Sequence, residues 1–340
     1  MIIRSKAPLR IGLAGGGTDV SPYSDIYGGA VLNATINMYA YATIIPRSDG
    51  KIIIRAVDRG ESVNLESATE LPINGKLDLA KAIYNRIVKD FTGEKLSFEL
   101  VTYVDAPPGS GLGSSSTLVA TIIGAFVEWL KLPFGEYDIA SLAYKTERLD
   151  LGYAGGKQDQ YAATFGGVNF MEFYKDDKVI VNPLRIRSNI LNELAYNLVL
   201  YFTGTSRLSS EIIEKQQESI ARNKTNSVEA MHHTKKMAVL MKEAILKGNL
   251  TDIGPIMLEA WEYKKNMAVG ISNPQLDKIY DSAIKAGATG GKISGAGGGG
   301  FMFYFCPENA RFNVIDELKK FGGTVQAFQF TKSGLSSWST

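Results

Sequence analysis

The chain has 340 residues, more than one domain usually holds, and it is 45% hydrophobic and 21% charged, as ordinary folded proteins are. A net charge of +2 supplies no field for nucleic acid or an anionic membrane, a single cysteine (Cys306) excludes an internal disulfide framework, and two histidines leave no basis for a Cys/His zinc site. The opening MIIRSKAPLR carries Arg4 and Lys6 inside any would-be signal core, and the longest apolar run, LVATIIGAFV, stops at Glu128, too short for a span; we expect a cytoplasmic enzyme.

In chain order, the first 105 residues read mostly as strands. AVLNATINMYAYATIIP and KIIIRAV are rich in β-formers, and LSFELVTYV alternates apolar and polar residues. One helix interrupts them, with Leu79, Ile83, Ile87 and Phe91 at helical spacing. Helices are predicted from Gly113 to Lys131 and from Glu136 to Leu149, then strands at GGVNFMEFY and LAYNLVLYFTG. Amphipathic helices follow at SSEIIEKQQESI and VEAMHHTKKMAVLMKEAILKG, then at 255–265 and 274–286. GGFMFYFC and TVQAFQF read as strands around the helix ARFNVIDELKKFG. The succession strand-rich, helical, mixed predicts an α+β chain of two lobes, 1–185 and 186–340.

Three glycine-rich stretches and one acidic stretch stand out. PPGSGLGSSS joins a predicted strand to a predicted helix, where free N–H groups, the helix dipole and the absence of Cβ atoms suit a phosphate. The same serines also suit a helix cap. It lacks the G-K-[ST] ending of a P-loop. KAPLRIGLAGGGTD carries Lys6 and Arg10 on or beside a first strand and ends on Asp19. GGKISGAGGGGFMFYF packs six glycines between Gly291 and Gly300, a density with an entropic cost unless the backbone must approach something closely. TERLDLGYAGGKQDQY sets Glu147 and Asp159 on either side of a Gly-Gly turn, so the two acids could converge.

Together, in this order, these stretches resemble the galactokinase, homoserine kinase, mevalonate kinase and phosphomevalonate kinase superfamily. PPGSGLGSSS is similar to its central motif nearly letter for letter, and the outer two stretches look like its N- and C-terminal motifs. The resemblance implies a two-lobed small-molecule kinase fold, with a ribosomal-protein-S5-like N-terminal lobe and a ferredoxin-like C-terminal lobe. It implies ATP phosphates under Pro108, Gly109, Ser110, Gly111, Leu112, Gly113, Ser114, Ser115 and Ser116. It implies Mg2+ on Ser115 and Glu147, Asp159 as the base, and Lys6 and Arg10 as cations near the base or the moving phosphate. For the sugar it points to Gly17, Thr18 and Asp19, and to Gly297 and Gly298 of the last motif.

Gly16 and Gly17 stand where galactokinases carry a Glu-His pair. The GGGTD pattern is similar to that of D-glycero-D-manno-heptose 7-phosphate kinases and some fucokinases, and ERLDLGYAGGKQDQYAATFGGVNF and TGTSRLSSEII also look like the heptose kinases. Their activity phosphorylates the anomeric hydroxyl of a sugar phosphate, for nucleotide-activated heptose in surface glycans. A fucokinase or galactokinase acting on a free sugar is the first alternative, and a non-catalytic sugar and ATP sensor on the same scaffold is the second. A phosphorylated sugar needs a second anion site. Arg207 leads as its cation, with Thr203 and Thr205 as further donors; Lys264, in WEYKK, follows, although that run reads as a solvated helix face. The expected partners are a small-molecule sugar phosphate and ATP, with no nucleic acid and no membrane, in a monomer or homodimer.

Overall fold

A computed structural model describes residues 1–205, 209–221 and 225–340. β1 (Ile3–Ala14) leads into α1 (Tyr23–Tyr27), the long β2 (Gly29–Pro46) and the hairpin β3 (Lys51–Ala56) with β4 (Glu61–Glu66). α2 (Asp78–Ile87), β5 (Phe98–Val104), α3 (Ser114–Leu130), α4 (Glu136–Lys145) and α5 (Gln158–Phe165) follow, then the hairpin β6 (Val168–Phe173) with β7 (Val179–Pro183). These strands form one large sheet in the order β1-β2-β5-β3-β4, with β6 pairing the first half of β2 and β7 pairing β6. Period-2 burial is clearest in β3, where Ile52, Ile54 and Ala56 turn inward. α3 is apolar nearly all round because it is sandwiched: Val119, Ile122, Ile123 and Phe126 pack into one core with Ile44, Ile54 and Leu100.

The chain then enters a second, four-stranded antiparallel sheet through α6 (Ser188–Asn197) and β8 (Leu198–Phe202). α7 (Ser209–Ala221), α8 (Thr225–Lys247), α9 (Ile253–Lys265) and α10 (Pro274–Lys285) precede β9 (Gly290–Ile293) and β10 (Phe301–Phe305). α11 (Ala310–Lys319) and β11 (Thr324–Gln326) complete it in the order β11-β8-β10-β9. β12 (Ser336–Ser339) returns to the large sheet and pairs with the start of β1. The lobes share an apolar seam: Leu9 and Ile11 of β1, Leu200 of β8, Phe303 of β10 and Met257 of α9 belong to one buried cluster. The seam fixes the two glycine loops described below against each other. The two-lobed α+β architecture expected from the sequence is the one observed.

Three elements differ from expectation. LAYNLVLYFTG is not one strand, because its first four residues end α6, whose Ile190 and Leu194 lie four apart on one buried face. TVQAFQF is a strand only over its first three residues; Phe330 instead bridges to Ile36 of β2. The serine-rich tail, unmarked by any β-branched residue, becomes β12 because β1 offers it a free edge.

Candidate active site

The glycine-serine loop sits where β5 hands over to α3. Gly109, Gly111 and Gly113 all have positive φ, which only glycine adopts freely. Gly113 caps α3 without any side-chain cap bond, so the serines are not the cap, and the first-turn N–H groups stay available at a 17-residue helix's positive end. Pro108, Gly109, Gly111, Gly113, Ser114, Ser115 and Ser116 line a cleft of about 550 Å³. Ser110 and Leu112 do not: Leu112 joins the seam between the lobes, and the Ser110 carbonyl accepts from Phe301 N at 2.8 Å.

Glu147 reaches the same place from the end of α4. The helix widens there, with Leu151 N bonding to Thr146 O five residues back. The Glu147 side chain is buried; its Oε1 accepts from Ser115 Oγ at 3.2 Å and its Oε2 from Gln160 Nε2 at 2.6 Å. Gln160 also reaches Ser116 Oγ at 3.2 Å. One carboxylate and one hydroxyl are thus held side by side at the head of α3.

Asp159 opens α5 and faces Gly113, where an added Cβ would lie 3.1 Å from its carboxyl. Arg10 Nε donates to Asp159 Oδ1 at 2.7 Å, and Arg10 Nη1 donates to Gly111 O at 2.6 Å. Arg10 is buried while Asp159 is partly open to the cleft. Asp19 lies beside them: Oδ2 accepts from the backbone N–H of Lys157 (2.9 Å) and Gln158 (3.0 Å), and Oδ1 from Gly17 N (3.1 Å). Burial, and secondarily the charge of Asp159, raise its pKa above the usual carboxylate value against those bonds. Gly156 is needed for this: a Cβ there would sit 1.9 Å from Asp19 Oδ2. Gly156→Ala should therefore lower stability by about 1–3 kcal/mol in urea denaturation.

The third glycine stretch closes the cleft from the other lobe. An added Cβ at Gly111 would meet Ser294 O at 2.3 Å, and one at Gly295 would meet Gly111 Cα at 2.7 Å. Ser294 Oγ also donates to Gly111 O at 2.8 Å. Gly295 and Ala296 line the cleft. Gly297 and Gly298 lie behind it instead, where Gly297 packs on Ile271 and Gly298 N donates to Ile271 O at 2.9 Å.

Three further residues sit where the sequence did not place them. Thr18 backs the site without lining the cleft: its hydroxyl donates to Gly15 O and Ala30 O and accepts from Ala30 N. Lys6 also lies outside the lining, about 13 Å along β1 from Arg10, with its ammonium 5.0 Å from the centre of the Tyr39 ring. Lys264 is not on a solvated face: it is buried, lines the cleft and donates to Gly295 O. Arg207 falls outside the described residues. Thr203 Oγ1 donates to Gly300 O at 2.9 Å, and Gly300 N donates to Thr205 O at 2.7 Å.

Gln158 and Gln160 are contributors the sequence reading passed over, although both stand in the GGKQDQY run on either side of Asp159. The cleft lining also includes the apolar Ile54, Ala56, Leu79, Ala80, Leu118 and Ile122, together with Asp58, Arg59, Asp78 and Thr102. Among the described residues no three His, Cys, Asp or Glu side chains cluster as a metal cage, and no helix is long and apolar enough to cross a membrane.

Comparison with known proteins places the chain in a family. Residues 78–167 match the GHMP kinases N terminal domain and residues 241–324 the GHMP kinases C terminal domain. The chain is 53% identical over 336 residues to the D-glycero-alpha-D-manno-heptose 7-phosphate kinase of Campylobacter jejuni, covering 99% of this chain and 98% of that one. A solved D-glycero-D-manno-heptose 1-phosphate kinase from Bacteriodes thetaiotaomicron is 46% identical, with a TM-score of 0.85 over 99% of both chains. The mevalonate kinase of Methanococcus jannaschii, 22% identical over 97% of this chain and 98% of its own, shares the fold at a TM-score of 0.75.

Proposed function

We propose that this chain, which belongs to the GHMP kinase family and is an ATP-dependent sugar phosphate kinase, phosphorylates the anomeric hydroxyl of D-glycero-D-manno-heptose 7-phosphate to give the 1,7-bisphosphate. The observation that carries the reading is the convergence of Arg10, Asp159 and Asp19 on the uncapped end of α3 in a chain 53% identical to a kinase of that name. Two relatives are named for the same heptose, one by a 7-phosphate and one by a 1-phosphate. Transfer from ATP to the anomeric oxygen of the 7-phosphate follows the first of these names.

In this reading the nucleotide base lies against Ile54, Leu79 and Ile122, and the phosphates lie on the free N–H groups of the 108–116 loop. Ser115 and Glu147 suit Mg2+, which keeps few protein ligands and takes the rest from phosphate and water. Held there, the ion would supply charge neutralisation on the phosphate oxygens. Asp19 accepts from ring hydroxyls, and Gly16 and Gly17 leave room beside it. Asp159 orients the anomeric hydroxyl and takes its proton, while Arg10 holds that carboxylate and offers charge to the phosphoryl group in flight. Arg207, outside the described residues, is the leading cation for the sugar's own phosphate, with Lys264 next. The division near residue 185 into a nucleotide lobe and a substrate lobe, and a cytoplasmic setting where ATP is available, belong to the same reading.

A panel of sugars and sugar phosphates, followed by ATP consumption, tests the substrate. Heptose 7-phosphate should be used with the highest kcat/KM; better use of free fucose or galactose would sink the substrate and leave the kinase standing. Glu147→Gln tests the metal. An anionic ligand is lost at nearly constant shape, so the Mg2+ concentration for half-maximal rate should rise about tenfold or more, on the order of one charge-assisted contact. An unchanged requirement would make Glu147 structural.

A further inference from the structure

Three buried lysine and arginine side chains lie at the sugar end of the cleft: Arg10 and Lys264 line it, and Lys292 sits outside the lining on β9, which packs against α9. Arg10, Lys264 and Lys292 are 3%, 4% and 2% exposed. Arg10 is engaged with Asp159 and Gly111 O, and Lys264 donates to Gly295 O. The Lys292 side chain, on β9 beside Phe303 of β10, makes no hydrogen bond or ion pair with any described residue, while its backbone joins the β9–β10 ladder. The other buried lysines are not left so. Lys81 reaches Pro72 O, Asn74 and Asp78, and Lys157 pairs with Asp177 at 2.7 Å. The acids nearest the trio are Asp159, held by Arg10, and Asp19, held by backbone N–H groups.

Burial of an unpaired ammonium is unfavourable. Here the cations also oppose one another: burial first, then Arg10, pushes Lys264 down to about 8, against the pull of Asp19. Burial, Lys264 and Arg10 push Lys292 well below its ordinary value. An oxyanion at this point would offset both the burial and the mutual repulsion.

We propose that Lys264 and Lys292, beside Arg10, form a binding site for a phosphoryl group, entered from the cleft at Lys264. The inference rests on the kinase reading above, which brings two such groups to this end of the cleft: the sugar's own phosphate and the one in transfer. Both are oxyanions that an ammonium pair recognises.

The test uses the full chain with saturating ADP and inorganic phosphate as the probe, read by thermal shift. Phosphate should raise the wild-type midpoint, and Lys264→Met and Lys264→Gln should each weaken its apparent affinity tenfold or more. Lys292→Met should raise the midpoint without phosphate, because the burial penalty of an unpartnered amine is gone, and lower the affinity for phosphate; a lysine that only supports the fold would move both readings the same way.

Steady-state rates of the Lys264 variants on heptose 7-phosphate and on the unphosphorylated heptose separate the two sources. A KM rise confined to the phosphorylated sugar assigns the site to the sugar's phosphate. An equal fall in kcat on both sugars, at constant KM, assigns it to the phosphoryl in transfer. Wild-type phosphate affinity in the Lys264 and Lys292 variants overturns the proposal. Should heptose 7-phosphate prove not to be a substrate, the phosphate titration still decides, so failure of the substrate reading and failure of this site are told apart.

Discussion

Asp159→Asn should keep the fold and the apparent affinity for ATP and lower kcat by about 100- to 10,000-fold, or about 3 to 5 kcal/mol of barrier. The amide oxygen can still accept from Arg10, so the bond at 2.7 Å has a substitute and the guanidinium stays placed. What the amide cannot do is take the hydroxyl proton. Asp159 stands at the first turn of α5, against Gly113 and the 108–116 loop, with Asp19 beside it; Glu147, the other acid at the head of α3, is held by Ser115 and Gln160. Asp19 is a poor substitute because its two oxygens are already held by three backbone N–H groups. Turnover within a few-fold of wild type would remove the base from the mechanism and leave positioning and charge alone.

Much of this site was legible because its signals are local. Gly109, Gly111 and Gly113 are glycines for a backbone reason that survives in any context, and a glycine-serine run between a strand and a long helix announces an anion site. Glu147 and Asp159 could be placed near each other because a short Gly-Gly turn separates them. Long-range placement was not legible. Lys6 and Arg10 lie four apart on one strand and share its face, yet only Arg10 reaches the cleft, since a strand carries equivalent side chains away from a point. Lys264 reads as solvated in WEYKK and is buried only because β9 and the 294–300 loop are laid against α9. Thr18 carries a hydroxyl that looks free in sequence and is committed to Gly15 and Ala30 in the fold. α6 was hidden for a different reason: its last turn runs straight into β8, and one apolar run serves both periods.

Arg10→Met should be the other severe variant, with kcat down roughly 10³-fold, the lower end of what a transition-state arginine contributes, or about 4 kcal/mol. Two separable things are lost. The first is positive charge at the moving phosphoryl group, which no rearrangement of a thioether restores. The second is the two-point hold on Asp159 and Gly111 that keeps base and phosphate loop in register. The loop itself should survive, because Gly111 O keeps a second donor in Ser294 Oγ at 2.8 Å and the two glycine stretches still interlock. Asp159 is partly exposed and can take water in place of the guanidinium, so the stability loss should stay near 1–3 kcal/mol, that of a broken charged hydrogen bond. Arg10→Lys divides the two effects. It restores the charge without the fork that meets Asp159 and Gly111 together, so it should recover only part of the rate. Full recovery would assign Arg10 to charge alone, no recovery would assign it to geometry, and a methionine variant within tenfold of wild type would take Arg10 out of the reaction.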